Sequence, residues 1–543
     1  MEDDLPSEHD VIVIGTGMTE SIIAAAASRI GKNVLHLDRN DYYGGLWASF
    51  NFEGFQKWVE ECRTLKTPSD SVSKNKDLLK DNEILVSCGD QFSTVSNIQE
   101  QWHIPDFASA GDNQLSEVKE KDNNWDRSKV KDLSRKFNID LAPKLLFSRG
   151  SLVDLLISSN IARYAEFRCV TRILTWFHDK LETVPCSRAD VFSTKDVSVV
   201  EKRLLMQLLQ LCAEYKPEGN EFKGFENKTF VDYLKSKDLT DSIMHYVLYA
   251  IAMGSENTPC MVGVEKAQKF LSSLGRYGNT PFLWPMYGSG ELPQCFCRLC
   301  AVFGGVYHLK RSNNDIIISK EGDEAVCDGI ISDGQRLKAR HLVLSVPDAP
   351  KTFLQKTTAT GISRGIFITN GSILPSEKES LTLLQFPVGK DREPITVIEV
   401  GPSTHACPNG LYIIHMTSKQ YTNAVDDLKV AVEKLLNTDE SDGLFDEAKQ
   451  SPPRVLWSLY FNCPDTSKSD LSGSVPKNVY LTSGPDLDID FEFAVKQAKE
   501  IFSKMYPTEE FLPRAPDPEE LVLDDAEETK NESKEAETEK PDE

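Results

Sequence analysis

Asp10-Val-Ile-Val-Ile-Gly15-Thr-Gly17-Met-Thr-Glu20, continuing through an alanine-rich stretch to Val34-Leu-His-Leu-Asp38, decides how this chain begins to fold. Val11–Ile14 is apolar at every position, the pattern of a parallel strand buried on both faces rather than one. Gly15-Thr16-Gly17 turns the chain into an apolar helical stretch that runs through Ala27. Val34–Leu37 is then a second strand, closed by the acid Asp38. Strand, glycine turn, helix, strand and acid follow one another in the order of a dinucleotide-binding fold.

The glycine turn departs from that pattern at one position. In G-x-G-x-x-G the first glycine makes the turn, the second admits the pyrophosphate, and the third lets helix and strand pack closely. Here the third place is held by Glu20. A carboxylate at the start of a helix satisfies the helix dipole and the free amides, and it repels a diphosphate. A second departure lies near the end of the chain, after the predicted strand Val479-Tyr-Leu-Thr482. Flavin oxidoreductases of this build usually follow their last strand with a Gly-Asp pair, whereas this chain has Gly484-Pro485-Asp486. The inserted proline removes an amide donor. Asp38 keeps the place of a ribose-binding acid, and equally suits a strand-end acid in a turn. The frame of a flavin oxidoreductase is therefore expected with its cofactor site lost, and no cofactor is expected.

Working outward, residues 65–127 are rich in Ser, Asn, Asp and Lys, with little periodicity. They read as a long, largely flexible surface insertion. Leu204, Leu205, Leu208, Leu209 and Cys212 recur at intervals of three and four, an apolar helical stripe. Further helical segments are predicted at 229–235 and 241–253. The α/β character returns at Gly290-Glu-Leu-Pro293, which opens a helix with proline in its first turn. Strands are predicted at 306–309, 339–347, 455–461 and 479–484, and a helix near 493–502. The expected fold class is α/β: a flavoprotein-like domain from 1–186 and 275–515, with a smaller α-helical domain, 187–274, inserted in it.

Composition narrows the function classes. The 543 residues carry a net charge of −23, which argues against nucleic acid as a partner. From Asp517 onward 13 acidic residues face 3 lysines, so 516–543 reads as a disordered, solvating tail. No stretch is long and apolar enough to span a membrane, and neither a signal peptide nor a prenylation motif is read at the ends. A cytosolic location is expected. Twelve cysteines scattered along the chain suit a reducing compartment. Their one cluster, Cys295-x-Cys297-x-x-Cys300, falls in a helical pattern and reads as small core residues rather than a metal site. His36 sits in a buried strand and reads the same way. No catalytic motif or acid–base pair stands out.

Two blocks carry a resemblance: Asp10–Gly45 (DVIVIGTGMTESIIAAAASRIGKNVLHLDRNDYYGG) and Arg276–Tyr307 (RYGNTPFLWPMYGSGELPQCFCRLCAVFGGVY). Both are similar to signatures of the superfamily of Rab GDP-dissociation inhibitors and Rab escort proteins. The resemblance covers roughly 8–60 and 134–515. It implies a flavin-free platform for GDP-bound Rab GTPases, with Tyr43, Glu291 and Arg298 as the matching Rab-binding residues. Glu291 and Arg298, seven apart, share a helix face, which is also what an ordinary solvated face would show. The helical domain would shelter geranylgeranyl chains.

The escort branch must also dock the α/β Rab geranylgeranyltransferase. Its contacts match Phe192, where dissociation inhibitors have an aliphatic residue, and Arg203. The 65–127 insertion favours the same branch. The implied function is a non-catalytic carrier that presents unprenylated Rab to the transferase, keeps the prenylated product and delivers it to membranes. Zinc and lipid diphosphate would belong to the transferase. The alternatives are a dissociation inhibitor that recycles prenylated Rab and, less favoured, an FAD-dependent oxidoreductase.

Overall fold

The computed structural model describes residues 5–64, 76–88, 95–106, 125–186, 198–237, 239–311, 314–321, 324–438, 451–473 and 475–514. The opening strand, Glu8–Ile14, lies inside an eight-stranded sheet. It pairs in parallel with Val34–Leu37 on one side and Gln335–Ser345 on the other. Val306–His308 and Val479–Thr482 extend the parallel set. Glu324–Ser332, Asn314–Glu321 and Ile84–Ser87 complete the sheet as antiparallel strands.

The apolar run of the opening strand is explained by what covers each face. Val11 and Val13 join the core formed with helices Met18–Arg29, Glu291–Val302, Glu492–Met505 and Ser151–Ser158. Ile12 and Ile14 face a second core on the opposite side, with Leu35, Leu37, Leu342 and Leu344. Ala24–Ala27 are all fully buried, as in a helix enclosed on every side.

A second eight-stranded sheet has the order Lys180–Thr183, Arg172–Phe177, Thr382–Phe386, Ile395–Val400, Tyr412–Lys419, Thr360–Thr369, Val455–Asp465, Ser96–Trp102. Its pairs are antiparallel except Arg172–Phe177 with Thr382–Phe386. Helix Ala424–Leu435 covers one face through Leu428, Ala431, Val432 and Leu435. Against the other face pack the helix Phe52–Thr64 and a helical layer. That layer comprises Val199–Ala213, Phe230–Lys235, Asp241–His245, a π-helical turn at Tyr246–Ile251, and Cys260–Ser273. The first of these helices starts in a capping box between Ser198 and Glu201. Sheet and helical layer share one continuous apolar cluster.

The mixed α/β fold is as expected, but one reading needs correction. Within 65–127, Ile84–Ser87 and Ser96–Trp102 are strands, one at an edge of each large sheet. Ile84–Ser87 is a short apolar run set in polar sequence, and Ser96–Trp102 hid its strand because an edge strand leaves much of its surface in water and carries polar residues accordingly. In Ser96–Trp102 only Ile98, Glu100 and Trp102 turn partly inward. The rest of the insertion lies outside the described residues except 76–83, 88, 95, 103–106 and 125–127, and so does the acidic tail.

Candidate functional site

Gly15 leaves the opening strand with φ +99°, and a Cβ there would meet Ser345 at 2.9 Å. This turn requires glycine on both counts. His36, buried beside it, bonds the Gly15 carbonyl through Nε2 at 2.6 Å. Burial pushes this imidazole down to about 4, so it is neutral and donates.

Glu20 is 2 % exposed. Its carboxyl accepts from the Thr482 hydroxyl and from its own backbone N–H. It also fills the approach to Gly17, where an added Cβ would lie 2.5 Å from Glu20 Oε2. The expected full negative charge needs correcting. Burial, reinforced by Asp348 and Asp38, pushes the carboxyl up to about 7, so near neutrality it is about half protonated.

Asp38 is also 2 % exposed and is fully engaged. It accepts from Thr16 N (2.9 Å), Thr16 Oγ1 (2.6 Å), Asn40 N (2.8 Å) and Asn40 Nδ2 (2.9 Å). Asp486, beyond the inserted proline, is buried in an ion pair with Lys144. That ammonium also donates to the carbonyls of Asp486 and Asp488. These residues do not fit a flavin dinucleotide. The place a pyrophosphate would approach is filled, and both acids that could reach a cofactor are bound within the chain.

Tyr43 stands at the rim of this turn. Gly44, with φ +98°, donates its N–H to Thr16 Oγ1 at 2.9 Å, tying the loop to the glycine turn. The half-buried Tyr43 ring meets the Tyr307 ring edge-on, centroids 6.0 Å apart. Tyr307 in turn lies 4.7 Å from the His36 ring.

Helix Glu291–Val302 runs alongside. Its inner positions Leu292, Cys295, Phe296, Leu299 and Cys300 are core, while Glu291, Gln294 and Arg298 are exposed. The two charged residues thus share one face, two turns or about 10 Å apart along the axis. The Arg298 guanidinium lies 5.0 Å from the Tyr164 ring centre, a cation–π contact made by tertiary packing and invisible to helical spacing. Glu291 is exposed, yet enough protein surrounds its carboxyl to raise its pKa. Tyr43 neighbours this helix through Cys297.

Cys295, Cys297 and Cys300 are all buried in that helix, and Cys297 lies 3.2 Å from Ser21 Oγ. Burial pushes the first two thiols up to about 11 and about 12. Among the described residues, no group of three or more His, Cys, Asp or Glu could hold a metal. Nor is any described helix long and apolar enough to cross a membrane.

Arg203 is exposed on helix Val199–Ala213, on the helical layer and away from the first-sheet turn. Phe192 lies outside the described residues.

The family model described as "GDP dissociation inhibitor" matches residues 5–89 and 99–512. A Drosophila melanogaster protein named Rab proteins geranylgeranyltransferase component A is 39 % identical, over 96 % of this chain and 93 % of that one. The component A 1 proteins of Rattus norvegicus and Homo sapiens are each 37 % identical, over 96 % of this chain and 94 % of theirs. Among solved structures, a Rab GDI from Plasmodium falciparum aligns over 93 % of this chain and all of its own, with TM-score 0.61 and 19 % identity. An oxidoreductase from Methanosarcina mazei aligns over 91 % of this chain and all of its own, with TM-score 0.51 and 14 % identity. At those identities the two structures speak for the fold alone. The long and nearly complete matches at 37–39 % speak for more, and the chain belongs to the GDP dissociation inhibitor family, in the group of the Rab geranylgeranyltransferase component A proteins.

Proposed function

We propose that this protein is a Rab escort protein: a non-catalytic carrier that binds GDP-bound Rab and presents it to Rab geranylgeranyltransferase. The observation that carries this reading is the near-complete match to proteins named as component A of that transferase. Geometry supports it at two places. Glu291 and Arg298 stand on one exposed helix face with Tyr43 nearby, a surface suited to a polar loop of a GTPase. On the helical layer, Val199 (84 % exposed) and Val200 (69 % exposed) stand bare beside Arg203. Apolar residues beside a cation suit a dock for the transferase, and Phe192, a few residues earlier in the sequence, is the aromatic assigned to the same partner.

The carrier acts by proximity. Holding Rab and transferase together raises the effective concentration of the Rab tail at the enzyme. The helical layer would then shelter the attached chains, each buried methylene contributing about 0.8 kcal/mol. Carriage through the cytosol with brief membrane delivery follows from that role. The test is reconstitution with the purified transferase heterodimer, a GDP-loaded Rab and geranylgeranyl diphosphate. Transfer should depend on adding this chain. Equal transfer without it would defeat the escort reading, and extraction of prenylated Rab from membranes without transferase binding would favour a dissociation inhibitor.

A further inference from the structure

We infer that Thr16 and Asp38, residues of the former dinucleotide-binding turn, now serve as positioning residues that hold the Tyr43 loop in its partner-binding shape. This rests on the reading of Tyr43 as a Rab-binding residue. In a dinucleotide-binding layout an acid at the end of the second strand faces a ribose. Here the Asp38 carboxylate instead accepts from both the amide and the hydroxyl of Thr16. The hydroxyl proton is thereby committed to Asp38, which leaves the Thr16 oxygen lone pairs free to accept. Gly44 donates its N–H to that oxygen at 2.9 Å. The other carboxylate oxygen fixes the start of the same loop through both Asn40 donors. One buried acid therefore clamps the loop on both sides of Tyr43.

The loop has other fixed points, Tyr42 packed edge-on against Phe50 and the Gly44 and Gly45 carbonyls accepting from the Trp47 and Ala48 N–H groups at 2.8 and 3.2 Å, but the Gly44 N–H next to Tyr43 is held by Thr16. Tyr43 is only half-buried, and its one aromatic neighbour among the described residues, Tyr307, meets it edge-on. Gly44 and Gly45 follow it with φ +98° and +53°, a backbone course open to glycine, and the Gly44 bond to Thr16 ties that course to the glycine turn. Without the Thr16 hydroxyl the Gly44 amide is left unpaired, and the tyrosine must be ordered when the partner binds. Ordering on binding is subtracted from affinity.

A double-mutant cycle tests this. Affinity for a purified GDP-loaded Rab is titrated for the full chain, Thr16→Val, Tyr43→Ala and the double variant, at a temperature where melting curves show all four folded. Thr16→Val should weaken binding about three- to tenfold, the loss of one hydrogen bond's worth of ordering. In the Tyr43→Ala background the same change should cost less than about twofold. Thr16→Ser, which keeps the hydroxyl, should bind like the parent. An equal loss with and without Tyr43, or no loss on Thr16→Val when Tyr43→Ala does weaken binding, overturns the inference. If Tyr43→Ala itself leaves affinity unchanged, the platform reading fails first and the inference falls with it, a visibly different outcome. Should Thr16→Val not fold, Asp38→Asn takes its place in the cycle.

Discussion

Glu20→Gln isolates the electrostatic cost of the acid that closes the old cofactor turn. Glutamine keeps the length and shape of the side chain and an oxygen for Thr482, but it cannot ionise. Glu20 titrates near 7 in the folded protein against an ordinary value of 4.5, and burial is the main cause. The folded state therefore holds its proton more tightly than the unfolded chain. Stability from this group is fully present below pH 4.5 and is lost as pH rises through 7. A shift of about 2.5 pH units corresponds to about 3 kcal/mol, the penalty that wild type carries above pH 8 and that the amide does not. The gain on substitution should be about 1 kcal/mol at pH 5, about 2 at pH 6 and about 3 at pH 8, and then level off. Urea unfolding of both proteins from pH 5 to 8.5 measures it. Stability curves that run parallel across this range would refute the argument, because a pH-independent difference reflects packing and not a buried titration.

Other outcomes follow from the site. Tyr43→Ala, Glu291→Ala and Arg298→Ala should each weaken GDP-Rab binding by about 1–3 kcal/mol in a titration, with melting temperature nearly unchanged for the two exposed helix positions. Phe192→Ala should remove about 2–4 kcal/mol of transferase affinity and Arg203→Ala somewhat less, while both spare Rab binding; wild-type transferase affinity in both would place that dock elsewhere. Purified protein should show no stoichiometric flavin absorbance between about 370 and 450 nm after gel filtration, since Glu20 fills the pyrophosphate approach.

What could be read from the sequence depended on how locally each feature is encoded. Val11–Ile14 and Leu342–Leu344 announce buried parallel strands because both their faces meet apolar cores. The leucine stripe of Val199–Ala213 is equally local, and Leu205, Leu208 and Cys212 are its buried members. Ile84–Ser87 and Ser96–Trp102 were not legible, because a strand at a sheet edge has no pattern of its own until its partner is known. Glu20 could be recognised as misplaced for a cofactor. Its partial neutralisation could not, since that comes from tertiary enclosure, which the hydrogen bond from Thr482, 462 residues away, only partly offsets. The face shared by Glu291 and Arg298 follows from helical spacing alone, whereas Tyr164 beneath Arg298 and Tyr307 beside Tyr43 come from tertiary packing.

The shared interior of the second sheet and the helical layer bears on how this protein can be taken apart. His245 bonds Thr175 of the sheet at 2.9 Å, Tyr246 bonds Glu182, and Val247, Ala250 and Ile251 sit in the same apolar cluster as Ile173 and Leu383. Residues 198–274 expressed as a separate fragment would expose half of a wall built to face another half, a surface prone to self-association. Grafting that layer onto a different carrier would require moving the strands Arg172–Phe177 and Thr382–Phe386 with it. The natural unit of transplantation is the helical layer together with its sheet.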